Sequence, residues 1–457
     1  MRDGDAGSKS GSGSRGVGPV GRSVRGSDRP GAGPSRAMIA GRRGLLLIAA
    51  ATAVTGLLAG LARMGVVVGW GPRHAVDHGA LLVVGVFGTV IALERAVALG
   101  RTWAYAAPAL GAATAIGLLA GLPWAPWLGV GAAVVAVVIN AAIVRRQAAA
   151  FTYLMLLGGV VRLLGDLAWA EGRPVFDVVW AWSASFVLTI IAERLELSRL
   201  APTPRWAQHL LGALALGLAA AAVVRLHGDA RATPVVGACL ALLGAWQLRF
   251  DLARRTVRWP GLPRFAGLGV LLAAGWLVIT GAFIARGPIA VVGPSYDVAL
   301  HGVFVGYVLS MVFAHAPIIL PAVARIQVRL TAAAYGPIAL LHAGLLARVI
   351  GDFVGSTRLR QAGGVGSALA LVAFALVIVL ARRARVRAPA RVLIASLLAV
   401  GAVGCVRVQA HQRETLAQPG MQAPVWPQVT AGDEHVFAVR EGTGGAVASG
   451  GGGCGCN

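Results

Sequence analysis

The chain has 457 residues, 57% of them hydrophobic, and a mean hydropathy of +0.74, well outside the soluble range. Apolar runs of about 20 residues, the length that crosses a bilayer, recur along most of it; this excludes a soluble globular domain and predicts a polytopic membrane protein. The net charge of +23 is almost all arginine, Lys9 being the only lysine. The arginines sit in loops and tails, as the positive-inside rule requires, and no basic patch with interleaved aromatics supports nucleic-acid binding.

In chain order, residues 1–43 are rich in Gly, Ser and Arg and read as a disordered basic cytoplasmic tail, with no cleavable signal peptide. Twelve spans follow, numbered here from the amino terminus, at about 44–64, 75–99, 104–122, 124–144, 151–170, 175–198, 207–225, 232–250, 265–286, 297–323, 331–353 and 363–382. The domain reading is therefore a twelve-helix transmembrane bundle over 44–382. Residues 383–410 hold a candidate thirteenth helix at 391–409, and 411–457 are a disordered Pro/Gly-rich tail. Cys239 and Cys405 are single cysteines in apolar segments, and Cys454 and Cys456 form a Cys-Gly-Cys in the tail; no disulfide framework is implied. Arginine placement puts the amino terminus in the cytoplasm.

The polar residues then sort by depth. His74, Asp77, His78, His301, Arg162, Asp166, Arg348 and Asp352 fall near the outer face. Glu94, Arg95, Glu193, Arg194 and His315 fall toward the cytoplasm. His301 and His315 lie roughly 21 Å apart along one helix at the standard rise, so they cannot hold the same ion. Two internal echoes compete. Thr89 to Arg95 (TVIALER) and Thr189 to Arg194 (TIIAER) repeat a motif in spans 2 and 6, and span 10 places Ser310 and His315 at a similar spacing. That is a four-helix period. RLLGD from Arg162 and RVIGD from Arg348 repeat in spans 5 and 11, a six-helix period that suits a transporter.

His78-Gly79 and His301-Gly302 open spans 2 and 10. Two imidazoles at equal depth on separate helices can clamp a haem iron in an apolar slot, and the adjacent glycines would let the macrocycle approach the backbone. The simpler reading is that each His hydrogen-bonds a neighbouring carbonyl or seryl group. Arg162 and Arg348 suit recognition of haem propionates, or pair with Asp166 and Asp352 at i, i+4 on their own helices. His74 and His78, spaced i, i+4, could offer both imidazoles to copper. The Glu-Arg pairs at 94–95 and 193–194 are expected to pair across helices, and with His315 could form a proton route. His342 in span 11 reads as structural.

ALHGVFVGYVLSMVFAHAPIILPAV with LLHAGLLARVIGDF, and HAVDHGALLVVGVFGTVIALER, resemble the His-bearing helices of the NnrS family. The resemblance implies a polytopic bacterial inner-membrane protein carrying haem and copper and linked to nitric oxide or redox stress. Its helix plan resembles the haem-copper oxidase bundle. It implies His78 and His301 as haem ligands, His74 as a possible copper ligand and Arg348 as a propionate partner; beside it, the residues themselves leave Arg162 as a second candidate for the propionates and His315 as a further metal candidate. The expected partners are the lipid bilayer and a small gas ligand such as nitric oxide. Span 6 carries no histidine, so an oxidase-type copper centre with three imidazoles cannot be assembled, and binding or sensing is expected rather than turnover. The alternatives are a secondary transporter using the intramembrane Arg/Asp and Glu/Arg groups, and a cofactor-free structural membrane protein.

Overall fold

The computed structural model describes residues 35–197, 203–328 and 330–383. The chain divides into two units, Met1–Val386 and Arg387–Asn457, and every described residue belongs to the first. The described residues are helical, with no strand among them. The candidate thirteenth helix, the carboxy tail with Cys454 and Cys456, Cys405 and most of the amino-terminal tail lie outside the described residues.

Among the described residues, twelve helices are long and apolar enough to cross a membrane. They are α1 (Arg36–Arg63), α2 (His78–Leu99), α3 (Thr102–Leu119), α4 (Ala125–Arg146), α5 (Ala150–Ala170), α6 (Val175–Leu197), α7 (Arg205–Leu226), α8 (Ala230–Phe250), α9 (Leu262–Ile284), α10 (Pro294–Ala324), α11 (Ala332–Phe353) and α12 (Thr357–Leu380). The chain is an all-α, multi-pass transmembrane bundle. In a membrane this follows from the backbone, whose polar groups a helix satisfies within itself.

α1 begins eight residues before the predicted start at 44, so residues 36–43 are helix rather than tail. Ser35 caps it, its hydroxyl accepting from Met38 N–H at 3.2 Å. The arginines that made this stretch look like tail are used: Arg42 donates to Tyr105 Oη at 2.8 Å and to the Val323 carbonyl at 3.3 Å, and Arg43 to the Ala324 carbonyl at 3.2 Å. These are the last carbonyls of α10, where cations are favoured.

Helices neighbouring in sequence pack together, as with α5 on α6, α8 on α9 and α11 on α12. Small residues bring the backbones close: a Cβ on Gly281 would lie 2.7 Å from the Gly237 carbonyl oxygen across the α8–α9 seam. α10 contacts both α2 and α6, and α6 is the central member, 78% of its span being buried where no other span exceeds 56%. The three helices linked by the four-helix echo therefore meet in the core. Because successive spans alternate in direction, the first turns of α2, α6 and α10 share one end of the bundle with the last turns of α5, α7 and α11.

Both His-bearing helices depart from α geometry. In α2 a π-helical segment, Leu81–Gly88, follows a short α turn and precedes an α segment from Thr89. In α10 the π segment is Gly302–Leu309, and α geometry resumes at Ser310. The wider turn re-aims the side chains of each helix relative to a straight α rod, and such turns gather at functional sites.

Candidate functional site

At one end of the bundle α2 and α10 bring His78 and His301 together. The two imidazole centroids are 6.4 Å apart and the rings are near parallel, at 17°. Each ring is held by its Nδ1. His78 Nδ1 donates to the Gly56 carbonyl of α1 at 2.7 Å. His301 Nδ1 donates to the Asp297 carbonyl at 2.9 Å and lies 3.2 Å from the Asp297 carboxylate. Neither Nε2 hydrogen-bonds another described residue, so the tautomer fixed by Nδ1–H leaves a lone pair on each Nε2. Donation from the distal nitrogen to a carbonyl or carboxylate is the usual support for an imidazole ligand.

α1 supplies the wall behind His78. A Cβ on Gly60 would lie 2.5 Å from Cε1 and 2.7 Å from Nδ1 of that ring, so only glycine leaves the imidazole its place. Gly302, expected to admit a flat macrocycle, is filled instead: the Thr280 side chain of α9 occupies the space a Cβ would need. Gly79 faces Val175 at ordinary contact distance.

Arg348 also takes a partner other than the predicted Asp352. Its Nε and Nη2 clamp the two carboxylate oxygens of Asp297, each at 2.6 Å. Arg348, Asp297 and His301 thus form one chain of contacts between α11 and α10. Asp352 is left 3.7 Å from Arg360. Arg162 keeps the predicted partner, its Nε 2.8 Å from both oxygens of Asp166, which also accepts from Trp182 Nε1 at 2.7 Å. Its guanidinium lies against the Phe186 ring at 5.7 Å and beside Gly88, and none of its described contacts involves either histidine.

The remaining metal candidates are not gathered with the pair. His74 is buried in a 3₁₀ turn, Gly71–His74, and the helix starts only at His78; the one-face argument for HAVDH fails because the segment is not a continuous helix. Burial pushes the Asp77 carboxyl up, with His74 pulling it down. His315 has both nitrogens engaged, Nδ1 with the Met311 carbonyl at 2.8 Å and Nε2 with Arg194 Nη1 at 3.2 Å. His342 is likewise engaged, by Trp276 Nε1 at 2.9 Å and Ser310 Oγ at 3.5 Å. Among the described residues no group of three or more His, Cys, Asp and Glu could hold a metal ion.

The opposite end carries a second polar layer. Arg95 Nη2 reaches Glu193 at 2.7 Å and Glu94 at 3.3 Å, the cross-helix pairing expected. Arg194 turns away from this set and forks onto Asp251 at 2.6 and 2.9 Å. Sequence reasoning missed Asp251, and also the buried pair Arg225–Asp177, at 2.6 Å. An Asp at the start of one span and an Arg at the end of the next was the available signal.

A family described as a domain of unknown function, DUF8744, matches residues 42–383. The chain belongs to the DUF8744 family. The match starts and ends within two residues of the bundle predicted at 44–382. A second domain of unknown function, DUF4266, matches residues 408–457. No curated protein and no solved structure matches the chain.

Proposed function

We propose that this DUF8744 protein is a haem-binding protein of the bacterial inner membrane, with its amino terminus in the cytoplasm and His78 and His301 as the two axial ligands. The supporting observation is the geometry of the histidine pair. The two rings lie near parallel with centroids 6.4 Å apart, and each keeps an Nε2 without a described partner, so His78 and His301 are the residues that would hold a haem iron between them. Haem also suits a donor set of only two, because the macrocycle supplies the other four ligands; a bare copper ion normally draws three or more from the protein. Copper at His74 or His315 therefore has little in its favour.

Each neighbour has a defined task in this reading. The Gly56 carbonyl and Asp297 hold both rings in the tautomer that presents Nε2. Arg348 fixes Asp297. Gly60 leaves room for the His78 ring. A bound haem would supply a redox couple; with His78 and His301 both holding it, a diatomic gas such as nitric oxide would have to displace one imidazole, and a redox role is the simpler way to meet the resemblance to NnrS proteins.

The visible spectrum of the full chain, purified in detergent and supplied with haem, tests this. The expected result is a sharp Soret band that either His78→Ala or His301→Ala disturbs. A colourless protein whose thermal midpoint shifts with an added solute favours the transporter reading, for which the π segments interrupting α2 and α10 would be the moving parts.

A further inference from the structure

A basic cleft of about 420 Å³ opens where α7 begins and α8 ends, at the end of the bundle opposite the histidine pair. Thr203, Pro204, Arg249, Arg254, Arg255 and Arg258 line it. All four arginines are exposed, and among the described residues none forms an ion pair. The one carboxylate in the lining, Asp251, is already taken by both arms of Arg194 and by the Ala253 N–H at 2.7 Å. It therefore does little to neutralise the cleft. The lower rim is aromatic: Phe250 packs against Trp206 at 5.5 Å and Trp246 at 5.4 Å, the composition of a membrane–water interface.

Across the first turn of α7 runs an apolar groove of about 310 Å³ between α5, α6 and α7, with Tyr153, Leu157, Leu195, Leu211 and Leu216 in its walls. Gln208 lines that groove and donates to the carbonyl of Thr203, which lines the cleft, at 3.0 Å. A cationic cleft at the interface beside an apolar furrow in the lipid-facing surface complements one kind of molecule. We infer that this site binds an anionic phospholipid, its phosphate among Arg249, Arg254, Arg255 and Arg258 and an acyl chain in the α5–α7 groove. Basic pockets between transmembrane helices recognise acidic headgroups in this way, and arginine matches phosphate oxygens with a bidentate fork. The site is separate from the haem reading and stands or falls without it.

Native mass spectrometry of the detergent-purified full chain, titrated with phosphatidylglycerol or phosphatidylcholine in mixed micelles, is the test. Phosphatidylglycerol is expected to be retained more tightly than phosphatidylcholine. The variant R254Q/R255Q should bind it about thirtyfold more weakly, from two lost charge contacts. R36Q/R145Q removes two exposed arginines from the same end of the bundle and should bind like the parent. Equal retention of both lipids overturns the inference. So does an equal loss in both variants, which would make it a property of the whole basic surface. Displacement by inorganic phosphate at the lipid's own concentration overturns it too, assigning the cleft to a free anion.

Discussion

Single residues decide whether the histidine pair can act as a ligand set, and Asp297 is the most informative of them. It holds His301 through its carbonyl and carboxylate and is itself clamped by Arg348. Asp297→Asn keeps the shape and removes the charge. The variant is expected to take up haem but to show a higher midpoint potential in a redox titration, because the His301 ring loses electron donation from the carboxylate; an unchanged potential would make Asp297 merely structural. At the other end, Arg194→Ala leaves the buried Asp251 carboxylate without its fork. The expected loss is about 3–5 kcal/mol, read as a lower thermal midpoint, while Arg145→Ala at an exposed site leaves it in place. Both histidines were legible in the sequence as ionisable groups in apolar spans. Asp297 stood four residues before His301, but the RxxGD repeat drew Arg348 to Asp352 instead. A helical spacing shows which residues can meet on one helix; it does not show that a neighbouring helix offers a better partner.

At the scale of elements, the spans were readable because length and hydropathy alone define them, and the twelve predicted over 44–382 agree with the twelve found among the described residues. Helix ends were less readable. Arg42 and Arg43 look like tail residues until the carbonyls of α10 are placed beside them. The π segments left no trace in the hydropathy pattern, since a change of one residue per turn is invisible when every face is apolar. The support α1 gives to His78 was equally hidden, because Gly60 is one of many glycines in the chain. Gly60→Val should push a branched side chain into the His78 imidazole and abolish the Soret band, while α1 still inserts. Gly44→Val, where nothing lies within 4 Å of the added carbon, should keep the band. Equal pigment in both variants would remove α1 from the site.

At the scale of the whole molecule, the alternation of spans gathers most of the described buried ion pairs at the two ends of the bundle; Arg162 with Asp166, expected near the outer face, is the exception, its guanidinium lying beside Gly88 and Phe186 in the middle of α2 and α6. The spans that carry the four-helix echo come together in the structure, α10 touching both α2 and α6, with Phe186 between Phe87 and Phe304. The proposed orientation makes a direct prediction. A phosphatase reporter fused after Gly172 should be active, and one fused after Arg146 inactive; the reverse pattern would place the histidine pair on the cytoplasmic side.

The enclosure of α6 has a consequence for biogenesis. A nascent polypeptide halted just after Leu197 already contains Asp177 and Arg194, but Arg225 and Asp251, their counterions, have not been translated. Until then the two ends of the sixth segment carry charges whose partners within the bundle are missing. The final seating of α6 is therefore expected to depend on segments made after it: Arg225 near the end of α7 and Asp251 just past α8 complete pairs that α6 only half supplies.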